Sequence, residues 1–144
     1  MTEISFHFNV ADRAEYTCRL LRKALRKGAR LVVSGAPAAL STLDRVLWTF
    51  DPLEFVPHLL ARPGQAVAPR LRDTPVWLVA DLAQAGHHDV LVNLHEAPPP
   101  GFEGFARLIE IVTTDPDDRA AARQRWNYYK TRGYAIEKHE VAAA

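Results

Sequence analysis

The chain has 144 residues, of which 48% are hydrophobic and 24% are charged, so it can bury one core. Its formal net charge of +1 excludes a protein that binds nucleic acid through overall positive charge. Cys18 is the only cysteine, which excludes a disulfide framework and a thiolate zinc cluster and is typical of a reducing compartment.

The hydrophobic pattern predicts alternating strands and helices. An apolar strand, a helix and a second apolar strand at the start of the chain indicate a βαβ unit with a buried parallel sheet. The sequence therefore predicts an α/β sandwich around a mostly parallel sheet. The predicted elements are strands over 3–10, 29–35, 76–81, 89–95, 107–114 and 134–141, helices over 12–28, 36–50 and 116–132, and a proline-punctuated connection over 51–64.

The extent and location of the protein are also predicted. Residues 1–144 are expected to form a single domain, with 142–144 as a frayed tail. The N-terminal segment has no basic region before an apolar run, and no segment is long and apolar enough to cross a bilayer. We therefore expect a cytoplasmic protein with no membrane contact.

The predicted helix over 116–132 has clear signals at both ends. Asp115 can cap the helix before Pro116 at its first position, and Gly133 suits the left-handed residue that ends it. At about 100° per residue, one stripe within roughly 60° of arc collects basic and aromatic side chains. These are Arg119, Arg123, Trp126 and Lys130.

This stripe has two interpretations: a solvated outer face with a tryptophan at the core border, or a binding surface. Trp48 favours the second, because it lies off the apolar arc of the predicted helix 36–50. Tryptophan and arginine are enriched at binding hot spots. Arginines beside an aromatic floor suit a ligand with acidic groups and an apolar anchor. Arg125 lies near the core face, so we expect its stem to pack and its head to reach solvent.

Two segments resemble a known family. The segment "LDRVLWTFDPLEFVPH" (43–58) is similar to a signature of the chi subunit of bacterial DNA polymerase III holoenzyme. The ending "RQRWNYYKTRGY" (123–134) resembles the basic-aromatic helix of that family, followed by glycine and an aromatic residue. Length and layout agree, so the resemblance covers nearly the whole chain. The residues of the first signature are Leu43-Asp44, Leu47-Trp48 and Phe55-Val56-Pro57-His58.

The resemblance implies a non-catalytic replication subunit with a three-layer, Rossmann-like α/β sandwich and no cofactor. Members of that family pair with a small subunit called psi, which tethers them to the clamp-loader complex. They also bind the C-terminal tail of the single-stranded DNA-binding protein, which is acidic and ends in phenylalanine, so their DNA contact is indirect. Carried over by position, the resemblance assigns tail binding to Trp48, Val112, Arg119, Arg123 and Trp126.

Those assignments lead to a geometric expectation. The two indole rings of Trp48 and Trp126 and the arginines are expected to converge in one solvent-facing cleft. The psi-binding surface is placed at Phe55, Val56 and Pro57, after the second predicted helix. Alternatively, Phe55 closes the core, and the sequence leaves both readings open.

Other functions have less support in the sequence. The turn after the first strand, "NVADRAEY", lacks the glycines of a dinucleotide fingerprint, and no P-loop motif occurs. Cys18 lies inside a predicted helix near its core face, which indicates an inert thiol, and no catalytic set is found. No dedicated metal-ligand set is visible either. The histidine-rich candidates for a metal site are weak: His87, His88, Asp89 and His95.

Direct binding of single-stranded nucleic acid is the remaining alternative. The basic helix over 12–28 and the stripe on helix 116–132 could contact phosphates and stack on bases. The near-zero net charge and the acidic residues that flank the stripe argue against this function.

Overall fold

The protein was analysed as a computed structural model, which describes residues 1–49, 56–61 and 66–141. Its strands are β1 (Glu3–Val10), β2 (Leu31–Ser34), β3 (His58–Ala61), β4 (Val76–Val79), β5 (Val90–Asn93), β6 (Arg107–Thr113) and β7 (Ile136–Glu140). Its α-helices are α1 (Arg13–Arg26), α2 (Pro37–Thr49) and α3 (Pro116–Thr131). Phe55 and the predicted tail 142–144 lie outside the described residues.

The seven strands form one sheet in the order β3-β4-β2-β5-β6-β1-β7. Every pairing within the described residues is parallel. Parallel strands need their connections to run across the faces of the sheet, which is where the three helices lie. The predicted α/β sandwich around a parallel sheet is therefore confirmed.

Two hydrophobic clusters cover the two faces of this sheet. In β2, Leu31 and Val33 point into the cluster beneath α1 and α2, whereas Val32 points into the cluster beneath α3. Successive side chains of a strand alternate between faces, so α1 and α2 form one outer layer and α3 forms the other. The result is the three-layer arrangement that the family resemblance implied.

The caps place the start of α1 and both ends of α3 where the sequence predicts them. The Asp12 side chain accepts a hydrogen bond from the backbone N of Glu15 at 3.0 Å, just before α1 begins. Asp115 does the same for Asp118 at 3.2 Å, and Pro116 occupies the first position of α3. After α3, Gly133 has a φ of 83°, a conformation that glycine adopts without strain.

The strand β3 was missed by the sequence analysis, which placed residues 58–61 in an irregular connection. This segment pairs in parallel with β4 at the edge of the sheet. The strand has only four residues, and Pro57 and Pro63 flank it closely. Prolines are tolerated beside an edge strand because it needs hydrogen-bond partners on one side only. Pro57, which is a loop signal in the sequence, thus stands directly before an edge strand.

Candidate functional site

The first turn of α3 is fixed to the end of β6. The Asp118 carboxylate accepts hydrogen bonds from the backbone N and the hydroxyl of Thr113, at 2.7 and 2.9 Å, and pairs with Arg13. Burial acts to raise the pKa of Asp118, but the Thr113 amide and the Arg13 guanidinium outweigh it and lower that pKa. The start of α3, just before Arg119, is thus held against the sheet.

A cleft of about 410 Å³ runs between α3 and the strands at one end of the sheet. We call it the α3 cleft. The β-strands contribute an apolar floor, and α3 contributes one wall. Its lining residues are Phe6 and Phe8 of β1, Val112 of β6, Arg119, Ala122, Arg123 and Trp126 of α3, and Lys138 of β7.

Trp126 joins the floor of the α3 cleft to its rim. Its ring is half-buried and packs on the buried Phe6 ring, with the centroids 5.1 Å apart and the planes tilted by 60°. The Lys138 Nζ lies 5.3 Å from the centroid of the Trp126 ring. Trp126 therefore stands at the border between core and solvent, where its position on the helix predicts it.

The charges of the α3 cleft all have one sign. Among the described residues that line it, Arg119, Arg123 and Lys138 are cationic and none is acidic. The two arginines and the lysine are exposed, so their charged groups are accessible to a ligand in the cleft. An arginine fork binds a carboxylate in a bidentate manner, and an apolar floor covers an aromatic ring. The cleft is thus suited to an anionic ligand with an apolar group.

Four of the five predicted tail-binding residues meet in this cleft: Val112, Arg119, Arg123 and Trp126. The expectation that Trp48 shares the cleft is wrong. Trp48 lies on α2, in the layer on the opposite face of the sheet. Its side chain is 61% exposed, as its position off the apolar arc predicted. The prediction that Trp48 lies on the exposed side of α2 is thus confirmed. The sequence does not show which face of the sheet α2 covers.

Trp48 instead lies beside the segment predicted to bind psi. Its ring is 5.2 Å from the His58 ring in an edge-on arrangement. His58 Nδ1 donates to the Val56 carbonyl at 2.7 Å, and its Nε2 lies 2.9 Å from Asp44 Oδ1 on α2. Val56 is buried in the core, whereas Pro57 is exposed. The described part of this segment is thereby fastened to the helix that carries Trp48.

A buried polar network lies beneath α3, and the sequence analysis missed it. Arg125 Nε donates to Glu110 Oε1 at 3.0 Å, and the Tyr129 hydroxyl donates to Glu110 Oε2 at 2.6 Å. Asn93 donates to both oxygens, and Arg125 Nη1 donates to the Glu96 carbonyl. The expectation that the Arg125 head reaches solvent is therefore wrong.

The reason lies in β6. Glu110 is completely buried on the face that α3 covers, between Leu108 and Val112. Burial raises the pKa of Glu110, while Arg125 and the donors Tyr129 and Asn93 act in the opposite direction. A buried carboxylate requires a partner, and Arg125 supplies it. A glutamate on the apolar face of a predicted strand was the signal available in the sequence.

The weaker candidates occupy structural positions. His87 is buried, and its Nε2 donates to the Pro75 carbonyl at 3.1 Å. Within the described ranges, no three histidine, cysteine or acidic side chains are arranged to hold a metal ion. Cys18 is fully buried, and burial raises the pKa of its thiol to about 12, which suppresses its reactivity. None of the described helices has the length and apolar character needed to cross a membrane.

A parallel α/β sheet with an open, cationic and partly apolar cleft on one outer face defines a class of protein suited to docking an anionic partner. Comparison with known proteins narrows this class. Residues 1–137 match the family described as "DNA polymerase III chi subunit, HolC". The chain belongs to the family of DNA polymerase III chi subunits, as the resemblance predicted.

Individual relatives agree with this assignment. The DNA polymerase III subunit chi of Pseudomonas aeruginosa is 32% identical over 98% of both chains. The subunit chi of Haemophilus influenzae is 30% identical over 88% of this chain and 86% of its own length. That of Escherichia coli K12 is 23% identical over 85% of this chain and 81% of its own.

Proposed function

We propose that this protein is a non-catalytic accessory subunit of DNA polymerase III that connects the clamp-loader complex to the single-stranded DNA-binding protein. The α3 cleft binds the acidic, phenylalanine-ended tail of that protein, and a separate surface pairs with psi. Family membership and the resemblance described above support the replication role. The observation that carries the tail-binding proposal is the all-cationic rim over an apolar floor.

The proposed tail fits the cleft group by group. The phenylalanine ring lies on the apolar floor formed by Phe6, Val112 and the border residue Trp126. The terminal carboxylate pairs with Arg123 or Arg119, whose exposed guanidinium groups stand on the helical wall. The remaining acidic groups of the tail stay near this positive field, which speeds association and makes the affinity depend on ionic strength.

The psi surface is proposed on the opposite face of the sheet. Trp48 and Pro57 are both exposed there, and His58 packs beside Trp48. A large exposed indole is typical of a binding hot spot, and this one adjoins the segment assigned to psi. We therefore assign Trp48 to the psi surface instead of the tail-binding site. Both surfaces belong to one domain built on a single sheet, which we propose acts in the cytoplasm.

A direct comparison of ligands tests the proposed function. Calorimetric titration with a short aspartate-rich peptide ending in phenylalanine is expected to show saturable binding that weakens as salt is added. The same peptide with alanine at its end should bind far more weakly, because the floor then covers no ring. A bare single-stranded oligonucleotide should not bind measurably. Binding of the oligonucleotide without the peptide would support the alternative, a nucleic-acid-binding domain.

Replacing Trp48 by alanine separates the two surfaces. We expect the melting temperature to stay nearly unchanged, because the ring is mostly exposed, and the affinity for the tail peptide to stay the same. Association with psi should weaken, as truncating a hot-spot residue typically costs at least about 2 kcal/mol. Thermal unfolding, peptide calorimetry and co-purification with psi measure the three outcomes. A loss of peptide affinity would return Trp48 to the tail site.

A further inference from the structure

Strand β7 forms the second wall of the α3 cleft and is also the last strand of the sheet. In the parallel pair of β1 and β7, Lys138 is the register partner of Phe6. Register partners on neighbouring strands point to the same face, and Phe6 points toward α3. Lys138 therefore rises from the sheet edge beside the apolar floor, across from Arg119 and Arg123.

The other charged or titratable side chains of β7 are not among the residues that line the α3 cleft. Glu137 is the partner of Ser5, and His139 is the partner of His7, so both point to the face that α1 covers. Glu140 shares the face of Lys138 but lies opposite Phe8 and is not among the residues that line the cleft. Lys138 is therefore the charged residue that β7 contributes to the wall of the cleft.

The cleft thus has two positive walls, and it borders the edge of the sheet on the β7 side. An extended acidic peptide whose tip lies between the α3 arginines and the floor must continue in some direction. If the peptide continues across β7, its next acidic group lies beside Lys138. The Lys138 Nζ already lies over Trp126, so its charge is held near the cleft.

We propose that the acidic tail enters the α3 cleft across the edge strand β7, and that Lys138 is a specificity-determining residue that pairs with an acidic side chain upstream of the phenylalanine. This inference rests on the proposed tail-binding function and adds the direction of the bound peptide. Glu110 is the residue of β6 in register with Lys138, so Val112 lies two strand spacings across the sheet and two residues further along it, roughly 12 Å from Lys138. An extended chain covers that distance in about three to four residues, so the partner is an acidic residue at one of these two positions before the tip.

A double-mutant cycle tests the pairing. The Lys138→Gln variant is expected to bind the acidic peptide about two- to five-fold more weakly than the unmodified protein, the range for an exposed ion pair. With a peptide that carries asparagine at the third and fourth positions before its tip, the same substitution should change the affinity by less than this. Lys138→Arg should retain the full affinity. The measurement is calorimetric titration at low ionic strength.

Matched controls distinguish pairing from general charge. Lys23→Gln removes the same charge from an exposed position of α1, on the opposite face of the sheet, and it should leave the affinity unchanged. Glu140→Gln, on the same face of β7, should not weaken binding. Equal losses for both peptides, or no loss in Lys138→Gln, would overturn the proposed path while the function stands. Failure of the unmodified protein to bind the peptide would instead overturn the function itself.

Discussion

Replacing Arg125 by methionine is expected to lower the free energy of unfolding by about 3–5 kcal/mol, the usual cost of removing one partner from a buried ion pair. Glu110 would then stay fully buried with only the hydrogen bonds from Tyr129 and Asn93. The contact between Arg125 and the Glu96 carbonyl would be lost as well. Urea unfolding followed by circular dichroism measures the change.

The pH dependence of this variant follows from Glu110. Burial already raises the pKa of Glu110 when Arg125 is present, and Arg125 acts to lower it, so its removal raises the pKa of the folded carboxyl further. A group with a raised pKa contributes stability below its unfolded pKa and loses it as the pH rises through the folded pKa. The deficit of the variant should therefore be larger at neutral pH than in mild acid.

A neighbouring position provides the control. Arg123→Met removes the same guanidinium two residues away, on the exposed side of α3, and should change the stability by less than about 0.5 kcal/mol. Adding Glu110→Leu to Arg125→Met should restore part of the loss, since no charge is then left buried. A small effect of Arg125→Met at neutral pH, similar to that of Arg123→Met, would show that the ion pair does not hold α3.

Replacing Arg123 by alanine is expected to reduce the affinity for the acidic peptide by about 1.5–3 kcal/mol, the range for a hydrogen bond to a charged group. This corresponds to roughly 10- to 150-fold in the dissociation constant. Arg123 is exposed on the wall of the α3 cleft, so its loss should not disturb the fold. Calorimetric titration at low ionic strength measures the effect.

The matching control is Arg45→Ala, which removes an exposed arginine from α2 on the opposite face of the sheet. Its affinity should equal that of the unmodified protein. The difference between Arg123→Ala and the unmodified protein should also shrink at high salt, because mobile ions screen exposed charges. An unchanged affinity in Arg123→Ala at low salt would remove this residue from the site.

Local signals made most of the fold predictable from the sequence. The caps at Asp12 and Asp115, and glycine at 133, act within one helical turn, so a short window of sequence contains all the groups involved. The stripe of Arg119, Arg123 and Trp126 follows from helical geometry alone. These residues line one cleft because the regular spacing of the helix places them on one side of α3.

Contacts between distant segments were not predictable in the same way. Whether α2 and α3 share a face of the sheet depends on strand order, and the hydrophobic pattern of each helix is the same on either face. This is why Trp48 was placed with Trp126. The sequence does not indicate a role for Lys138, because its neighbour Phe6 is far away along the chain. The register of β1 with β7 brings the two residues side by side.

The position of α2 and α3 on opposite faces has a consequence for assembly. If the two proposed partners dock on these outer layers, the whole sheet separates them, so their contact surfaces do not overlap. Neither has to leave before the other arrives, so a three-body complex forms without competition. Binding of one partner then raises the local concentration of the other. The overall affinity of the complex for protein-coated DNA therefore exceeds the affinity of either contact alone.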